Sequence, residues 1–277
     1  MTTHTLVPAR GGLTGIFRDG GMITWRNLIN IRRNPDMLLA STVQPIMFVL
    51  LFAYVFGGSI GNDPAAYREF LMGGIFTQTV AFNSAFTTIG LANDLHKGII
   101  DRFRALPMSR LAVILGRTSS DLVVSVLGLV VMSLCGLLVG WRIHGSVGAA
   151  IGAYLLLLLF AFAMSWVGAL IGLAARSVEV AQSAGLIWLF PVTFVSSAFV
   201  SADRMPGPLK AIAHWNPITA LANATRKLFG NATPPGFPHP SGWPVDHAVL
   251  YSALCSIAII AIFLPLAVAR YRRVASH

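Results

Sequence analysis

Charged residues are scarce in this chain. Aspartate, glutamate, lysine and arginine make up 11% of its 277 residues, whereas hydrophobic residues make up 55%. A soluble domain carries about 25% charged residues, and no water-soluble fold can bury so large an apolar fraction. The composition therefore excludes an ordinary soluble protein and predicts an integral membrane protein.

Residues that could carry catalysis or bind a metal are also few. The two cysteines, Cys135 and Cys255, lie inside apolar runs, which indicates small buried side chains rather than a disulfide or a metal site. The seven histidines fall in predicted loops or tails, without metal-ligand spacing or a paired nucleophile. The sequence predicts a protein that is not an enzyme and that holds no cofactor of its own.

The chain has no energy source of its own. The phosphate-binding pattern G-x-x-x-x-G-K-[ST] is missing from the sequence. The apolar runs also have no carboxylate near their middle, where a coupling ion would bind. Arg117 and Asp121 lie near the start of one run, four residues apart, and we expect them to pair with each other. These absences exclude an ATPase and an ion-driven pump acting alone.

Six long apolar runs are what the chain does have. A membrane-spanning helix needs about 20 such residues. The predicted spans are 37–57, 70–92, 111–140, 148–174, 180–200 and 248–269. The sequence therefore predicts an all-α, polytopic membrane protein with six transmembrane helices, the fifth kinked at Pro191.

Positive charge is distributed unevenly between the connecting segments. Lysine and arginine concentrate in the N-terminal segment, in loop 93–110 and in the C-terminal tail, whereas loops 58–69 and 141–147 carry one arginine each. The positive-inside rule then places both termini and loop 93–110 in the cytoplasm. The net charge of +10 is scattered between apolar runs, so the expected partner is anionic lipid and not nucleic acid.

Residues 1–36 are predicted to form a cytoplasmic tail with one interfacial helix, ahead of a six-span domain over 37–277. The segment 15–34 divides into two sides at helical spacing. Its apolar side has Phe17, Trp25, Leu28 and Ile29, and its polar side has Asp19, Arg26, Asn30 and Arg33. Such a helix lies in the membrane interface with the tryptophan at headgroup level. The alternative is a plain cytoplasmic tail.

The polar stretch Asn93–Arg110 interrupts the apolar runs and predicts a second amphipathic helix, over 94–106. Its apolar residues recur every three or four positions: Leu95, Ile99, Phe103 and Leu106. Charged residues fall between them: Asp94, Lys97, Asp101 and Arg104. This helix faces either the membrane surface or a soluble partner pressed against the membrane.

The outer segment, residues 201–247, is long and only partly polar. Apolar residues recur at helical spacing on both sides of Asn216-Pro217, and each side is too short to span a membrane. Two short helices that dip part-way in from outside fit this pattern, because irregular backbone at that depth must be buried in protein. The alternative is a loop that rests on the surface.

Small and aromatic residues suggest two further features. The pairs Gly136/Gly140 and Gly168/Gly172 allow close helix approach, either within one chain or between two copies. Aromatic residues of the second and fifth spans could line an apolar substrate path: Phe76, Phe82, Phe86, Trp188, Phe190, Phe194 and Phe199. Packing or contact with lipid is the alternative for these side chains.

Together these features resemble the membrane subunit of type-2 ABC exporters, and within that family the daunorubicin-resistance permease group. The resemblance rests on the order of short motifs: ALPMSR at 105–110 after the second span, LGR at 115–117, then Met205-Pro206, Asn216-Pro217 and Arg226. It covers essentially the whole chain, and its specificity lies in the order and spacing of the motifs.

The resemblance implies a bacterial inner-membrane homodimer that moves hydrophobic drugs or lipids outward, with ATP and Mg²⁺ bound by a separately encoded subunit. It implies a coupling helix that contacts this subunit through Asp94, Lys97, Gly98, Asp101, Arg102, Arg104, Leu106 and Pro107. It also implies an outer gate that includes Met205, Pro206, Asn216, Pro217 and Arg226. Family members often have glutamate where this chain has Asp94 and Asp101. The alternative function is a passive channel or lipid scramblase without an ATPase.

Overall fold

A computed structural model describes residues 13–33, 35–56, 64–99, 110–231 and 242–274, and all regular structure in these ranges is helical. The first helices are α1 (Leu13–Arg33), α2 (Pro35–Leu50, continued by a π-helical segment Leu51–Phe56), α3 (Pro64–His96), α4 (Arg110–Val139) and α5 (Val147–Ala174). The remaining helices are α6 (Val178–Ile187), α7 (Leu189–Phe194), α8 (Gly207–Trp215), α9 (Pro217–Phe229), α10 (Trp243–Asp246) and α11 (Ala248–Val274).

Helix α3 is the centre of the fold. It packs most extensively on α5 and also contacts α4, α6 and α9, and nearly every residue over 70–92 is buried. Many of these buried residues are polar: Thr77, Gln78, Thr79, Asn83, Ser84, Thr87 and Thr88. Because protein surrounds α3, it does not need the fully apolar surface of a lipid-facing helix.

Glycines on α5 allow the close approach of α3. A Cβ at Gly168 would overlap the backbone of Ser84, and one at Gly172 would overlap that of Thr88. The Thr88 hydroxyl also donates to the Gly168 carbonyl over 3.0 Å. The Gly168/Gly172 pair therefore packs helices of one chain together. The other predicted pair is different, because Gly140 has φ +100° and directly follows the last residue of α4.

Three of the helices are long and apolar enough to cross a membrane: Ala112–Val139, Val147–Ala174 and Ala248–Arg273. Two shorter apolar stretches, Thr42–Val55 and Val178–Phe194, correspond to the predicted first and fifth spans. The predicted second span is the buried part of α3, whose polar side chains lower its hydropathy. The described chain is thus all-helical and has at least three spans by length and composition.

The fifth span is broken, which corrects the single kinked helix predicted over 180–200. Helix α6 ends at Ile187 and α7 begins at Leu189, with Trp188 between them. Pro191 explains why the helix breaks near Trp188, because a proline removes one backbone donor and its ring clashes with the carbonyl four residues earlier. After Phe194 the chain leaves the helix and runs through turns to Ser201.

Helix α1 packs against the rest of the chain with one side and leaves Trp25, which was predicted at headgroup level, exposed. Asp19, Ile23 and Asn27 are buried, whereas the Trp25 side chain is 68% exposed. The reason is contact with α4, where a Cβ at Gly116 would meet Ile23 at 2.6 Å. A close glycine contact therefore selects the face of α1 that packs, over the face with the larger apolar side chains.

Candidate functional site

A polar cluster ties α3 to α4 near the end of α3 at His96. Arg117 and Asp121 form the predicted ion pair, with Nε 3.4 Å from Oδ2. Asp121 Oδ2 also accepts a hydrogen bond of 2.6 Å from the Thr87 hydroxyl, and Arg117 Nη2 donates to the Phe86 carbonyl over 3.3 Å. The pair is therefore bound to the central helix as well as to itself.

The same end of the bundle joins α1 to α3 and α4. Arg26 Nη2 lies 3.6 Å from Asp94 Oδ2, and Asn27 Nδ2 donates to the Ser120 hydroxyl over 3.2 Å. The Thr24 hydroxyl donates to the Gly116 carbonyl over 3.0 Å. A displacement of α1 or of the end of α3 therefore acts directly on the beginning of α4.

The first residues of the predicted helix over 94–106 do not start a separate helix. Residues 94–96 belong to the last turn of α3, and the chain then turns at Lys97 and Gly98, where Gly98 has φ +64°. A left-handed glycine at this position is a common helix terminator. Asp94 is thus on α3, and Lys97 and Gly98 form the turn. The other predicted contact residues, Asp101, Arg102, Arg104, Leu106 and Pro107, lie outside the described residues.

The turn between α5 and α6 lies close to this segment. Ser177 caps α6, where its hydroxyl accepts from the Val180 backbone N–H over 3.2 Å. Glu179, in the first turn of α6, is exposed and lies close enough to His96, at the end of α3, to interact with it electrostatically. An exposed carboxylate therefore stands beside the end of α3.

A shallow groove of about 20 Å³ lies between α2 and α3. Its lining residues are Gln44, Pro45, Phe48, Gln78, Thr79, Phe82, Asn83 and Phe86. The Gln78 side chain is 4% exposed, and its Nε2 has no hydrogen-bond partner among the described residues. A buried amide without a partner costs about 1–3 kcal/mol. A ligand that accepted this hydrogen bond would recover that free energy.

An aromatic row extends from the groove toward α7. Phe82 and Phe190 have ring centroids 5.3 Å apart, Phe190 and Phe194 6.0 Å, and Phe194 and Phe199 5.8 Å. Phe199 in turn stacks on Phe52 of the π-helical segment at 4.6 Å. The Phe190 and Phe194 side chains are about half exposed. The row therefore connects the buried rings of Phe82 and Phe199 to an aromatic surface at Phe190 and Phe194 on the outside of the single chain.

Three of the predicted aromatic path residues lie apart from this row. Phe76 is fully buried and packs against Trp141, Tyr154 and Phe229, at centroid distances of 5.2 to 6.2 Å within that group. In this chain Phe76 is a core residue, which corrects its placement on a path. Phe86 lines the groove, and Trp188 stands at the break between α6 and α7.

Arg226 on α9 is the hub of the outer segment. It donates from Nε to the Phe70 carbonyl over 2.7 Å, and from Nη2 to the Ser197 and Ala198 carbonyls over 2.9 Å each. Nη1 donates to Asn223 Oδ1 over 3.2 Å, and the guanidinium lies 3.5 Å over the Phe70 ring. One side chain therefore joins α3, α9 and the turn after α7.

The remaining predicted gate residues define the ends of the two short helices. Met205 and Pro206 precede α8. Asn216 separates α8 from α9, and its Oδ1 accepts from the Ile218 backbone N–H over 2.8 Å as an N-cap. Its Nδ2 donates to the Val192 and Val195 carbonyls over 2.7 Å each. Pro217 occupies the first position of α9, where its missing N–H costs nothing.

Several residues at these sites were not identifiable from the sequence. Gln78, Asn83 and Asn223 are single amides in apolar surroundings, and only their rarity at such positions could have pointed to them. The partner of Asn83 is remote in the chain, because its Nδ2 donates to the Ser125 hydroxyl on α4 over 3.1 Å. Spacing along one helix carries no information about such contacts.

These features define a class of protein: a helical, multi-pass membrane protein whose polar contacts gather at the two ends of a buried central helix. Comparison with known proteins gives the family. A model of the ABC-2 type transporter family matches residues 20–229, which include every predicted site residue of the chain. The chain belongs to the ABC-2 type transporter family, and it is a membrane permease rather than an ATPase.

Individual relatives agree with this assignment. The chain is 33% identical over 253 residues to the daunorubicin resistance ABC transporter permease protein DrrB1 of Streptomyces coeruleorubidus, covering 91% of this chain and 86% of the relative. It is 24% identical over 249 residues to the doxorubicin resistance ABC transporter permease protein DrrB of Mycobacterium tuberculosis, covering 84% and 83%. A putative transport permease, ycf38 of Cyanophora paradoxa, is 24% identical over 212 residues, covering 75% and 73%.

Proposed function

We propose that this chain is the permease subunit of an ATP-driven exporter that moves hydrophobic drug-like molecules outward across a bacterial inner membrane. The observation that carries the proposal is the similarity, over most of the chain, to permeases of daunorubicin and doxorubicin resistance. The groove between α2 and α3 adds a physical reason, because it combines phenylalanine rings with buried amides. ATP and Mg²⁺ would be bound by a separate subunit.

The proposed topology has six spans and cytoplasmic termini. α4, α5 and α11 are the long apolar spans. We assign α2 with its π-helical segment, the buried part of α3, and α6 with α7 as the other three. The asymmetry of lysine and arginine supports this orientation. In it, the cluster around Arg117 faces the cytoplasm and the hub around Arg226 faces outside.

Coupling to the ATPase would act through the segment after α3. The proposed contact residues are Asp94, Lys97 and Gly98 at the end of α3 and the polar positions between 101 and 107. The ion pair between Arg26 and Asp94 supports a shared movement of α1 and α3. A push on this segment would then reach the groove along α3, because a buried helix moves with its packed neighbours.

The proposed substrate path follows the groove and the aromatic row. A groove of about 20 Å³ is too small for a drug, since drug pockets have volumes of about 300–1,000 Å³. We therefore propose that a second copy of the chain completes the path, with Phe190 and Phe194 of each copy facing inward. The substrate class is a planar aromatic molecule, which would stack on the phenylalanines, with an oxygen that accepts from Gln78.

The outer gate would be formed by α8 and α9. α9 is tied to the ends of α3 and α7 by Arg226 and Asn216, and most of its residues are buried. Such a helix can enter the membrane from outside because its polar groups already have partners. Movement of α7 during transport would then be passed to the gate through these two side chains.

The decisive experiment is daunorubicin transport into inverted vesicles that contain this chain together with a separately encoded ATPase subunit. We expect ATP-dependent accumulation that Gln78→Leu lowers about tenfold, since one hydrogen bond to a buried amide is worth about 1.4 kcal/mol. Gln182→Leu, the same change at an exposed position of α6, is the matched control. Daunorubicin flux that is independent of ATP would favour the passive channel or scramblase instead.

A further inference from the structure

A second cavity, of about 170 Å³, lies beside Arg226 in the outer segment. Its polar lining consists of serine, threonine and asparagine side chains together with His214, Arg226 and Lys227. No aspartate or glutamate is among the described residues of the lining. The cavity is therefore rich in hydrogen-bond donors and carries positive charge.

The charge of Arg226 is not neutralised within the described part of the chain. Its four hydrogen bonds go to three backbone carbonyls and the Asn223 side-chain oxygen, all of which are neutral acceptors. The residue is 6% exposed. A buried charge that is hydrogen-bonded but unpaired retains an unfavourable electrostatic free energy, and an anion nearby would remove it.

Two further basic residues line the cavity, His214 and Lys227. His214 Nε2 is 3.3 Å from Asp203 Oδ1, without the geometry of a hydrogen bond. The Asp203 carboxylate is held by Lys210 at 2.8 Å and lies outside the lining. Lys227 adds a second cation, and its Nζ donates to the Asp246 carbonyl over 3.2 Å.

We propose that this cavity binds a phosphate group, either of an anionic lipid headgroup or of a free phosphate ion. Its volume exceeds the roughly 150 Å³ of an engineered cavity that holds a benzene molecule, so a phosphate with some of its water fits. Arg226 and Lys227 supply charge, and the Asn223 amide and Ser201 hydroxyl supply neutral donors. The site is distinct from the drug path and needs no transport to be occupied.

The variant that best separates phosphate binding from folding is Asn223→Asp. The Asn223 oxygen accepts from Arg226 Nη1 and from the Ser197 hydroxyl over 3.4 Å, and a carboxylate keeps both bonds. It would also place a negative charge beside the guanidinium and inside the cavity, so the fold should persist while phosphate is repelled. Ser146→Asp is the matched control, because it adds the same charge at an exposed helix cap that does not line the cavity.

The measurement is the melting temperature of the full chain in detergent micelles, followed by tryptophan fluorescence. One arm compares sodium phosphate with sodium chloride at equal ionic strength, which removes general screening. The other arm compares added phosphatidylglycerol with phosphatidylcholine. We expect phosphatidylglycerol or phosphate to raise the melting temperature of the wild type and of Ser146→Asp. The apparent affinity of Asn223→Asp should be about tenfold weaker or worse, since a charge-assisted contact is lost.

The two arms separate the sources of the phosphate. A rise with phosphatidylglycerol alone assigns the site to a lipid headgroup, and a rise with sodium phosphate assigns it to the free ion. The proposal is overturned if neither raises the melting temperature of the wild type, or if folded Asn223→Asp responds as the wild type does. Failure of drug transport would leave these results unchanged, so the two proposals are tested separately.

Discussion

Two arginines that are largely shielded from solvent, Arg117 and Arg226, lie near opposite ends of α3 and are stabilised in different ways. Arg117 has a carboxylate partner one helical turn away, and Asp121 is itself held by Thr87. Arg226 donates only to neutral oxygens. Three of its four acceptors are backbone carbonyls at least 28 residues away in the chain. One arginine is part of a local ion pair, whereas the other is a cross-link.

The two kinds of contact respond differently to movement of the helices. An ion pair needs only charge and proximity, so it tolerates changes of geometry when the helices move. A guanidinium that binds three carbonyls in a fixed fork depends on the exact position of each segment. The contacts at the Asp94 end of α3 can therefore tolerate a small shift of the helix. The contacts at the Phe70 end hold α3 in one position for as long as the turn after α7 stays in place.

The largest expected effect comes from separating the turn after α7 from α3. In Gly74→Ala the new Cβ would overlap the backbone of Ala198, so the turn must move away and the Arg226 bonds must break. We expect little or no folded protein, measured by size-exclusion chromatography of the detergent-extracted chain. Gly152→Ala on α5 is the control, because nothing lies within 4 Å of its Cβ position. Normal folding of Gly74→Ala would show that the turn is not tightly packed.

Exchanging arginine for lysine at both positions tests the comparison directly. Arg226→Lys keeps the charge but loses the fork, and at least two buried carbonyls lose their donor at about 1–3 kcal/mol each. We expect Arg226→Lys to lower the free energy of unfolding by about 3 kcal/mol. Arg117→Lys can still reach Asp121, and we expect a loss of about 1 kcal/mol or less. Equal losses, measured by denaturant unfolding in micelles, would contradict the distinction.

Removing the carboxylate of Asp121, which pairs with Arg117 near the end of α3 at Asp94, should lower the stability by an intermediate amount. Asp121→Asn can still accept from Thr87 but removes the nearest carboxylate of Arg117, leaving Asp94 as the remaining acidic neighbour, and we expect a loss of about 2 kcal/mol. Adding Arg117→Gln should then recover part of the loss, because the unpaired charge is gone. Double-mutant unfolding measures this coupling. Strictly additive losses would mean that the two charges do not interact.

The smallest effect on stability is expected at the partly exposed ion pair between Arg26 and Asp94. The Arg26 side chain is 40% exposed and the Asp94 side chain 19%, and pairs open to solvent contribute about 0–1 kcal/mol. Asp94→Asn should therefore leave unfolding almost unchanged, with a difference that disappears at high salt. Daunorubicin accumulation in vesicles should nevertheless fall if this contact passes on the push of the ATPase. Unchanged accumulation would remove Asp94 from the coupling contacts.

Local rules predicted the helices well where the signal lies within one segment. The long apolar runs predicted α4, α5 and α11 to within a few residues at most ends, because span length is set by bilayer thickness. Asn216-Pro217 predicted the boundary between α8 and α9, because a proline fits the first turn of a helix and its neighbour caps it. The ion pair of Arg117 and Asp121 was predicted correctly because spacing on one helix fixes it.

The sequence did not indicate what each predicted face packs against. Asp19, on the predicted polar side of α1, is buried because the close contact with Gly116 draws that side of α1 onto α4. Phe76 was expected on a path and lies in the core, because Trp141 and Phe229 surround it. Periodicity describes which residues share a face, but it does not say what that face meets.

The sequence by itself determined that this protein is an all-helical membrane permease, because composition, apolar run length and motif order are local properties. It also determined which positions carry charge near the ends of α3. Only the tertiary structure decided that α3 is the buried centre, that Arg226 binds the Phe70 carbonyl 156 residues away, and that a charged cavity lies beside it. Those features depend on the mutual packing of several helices, which no single segment encodes.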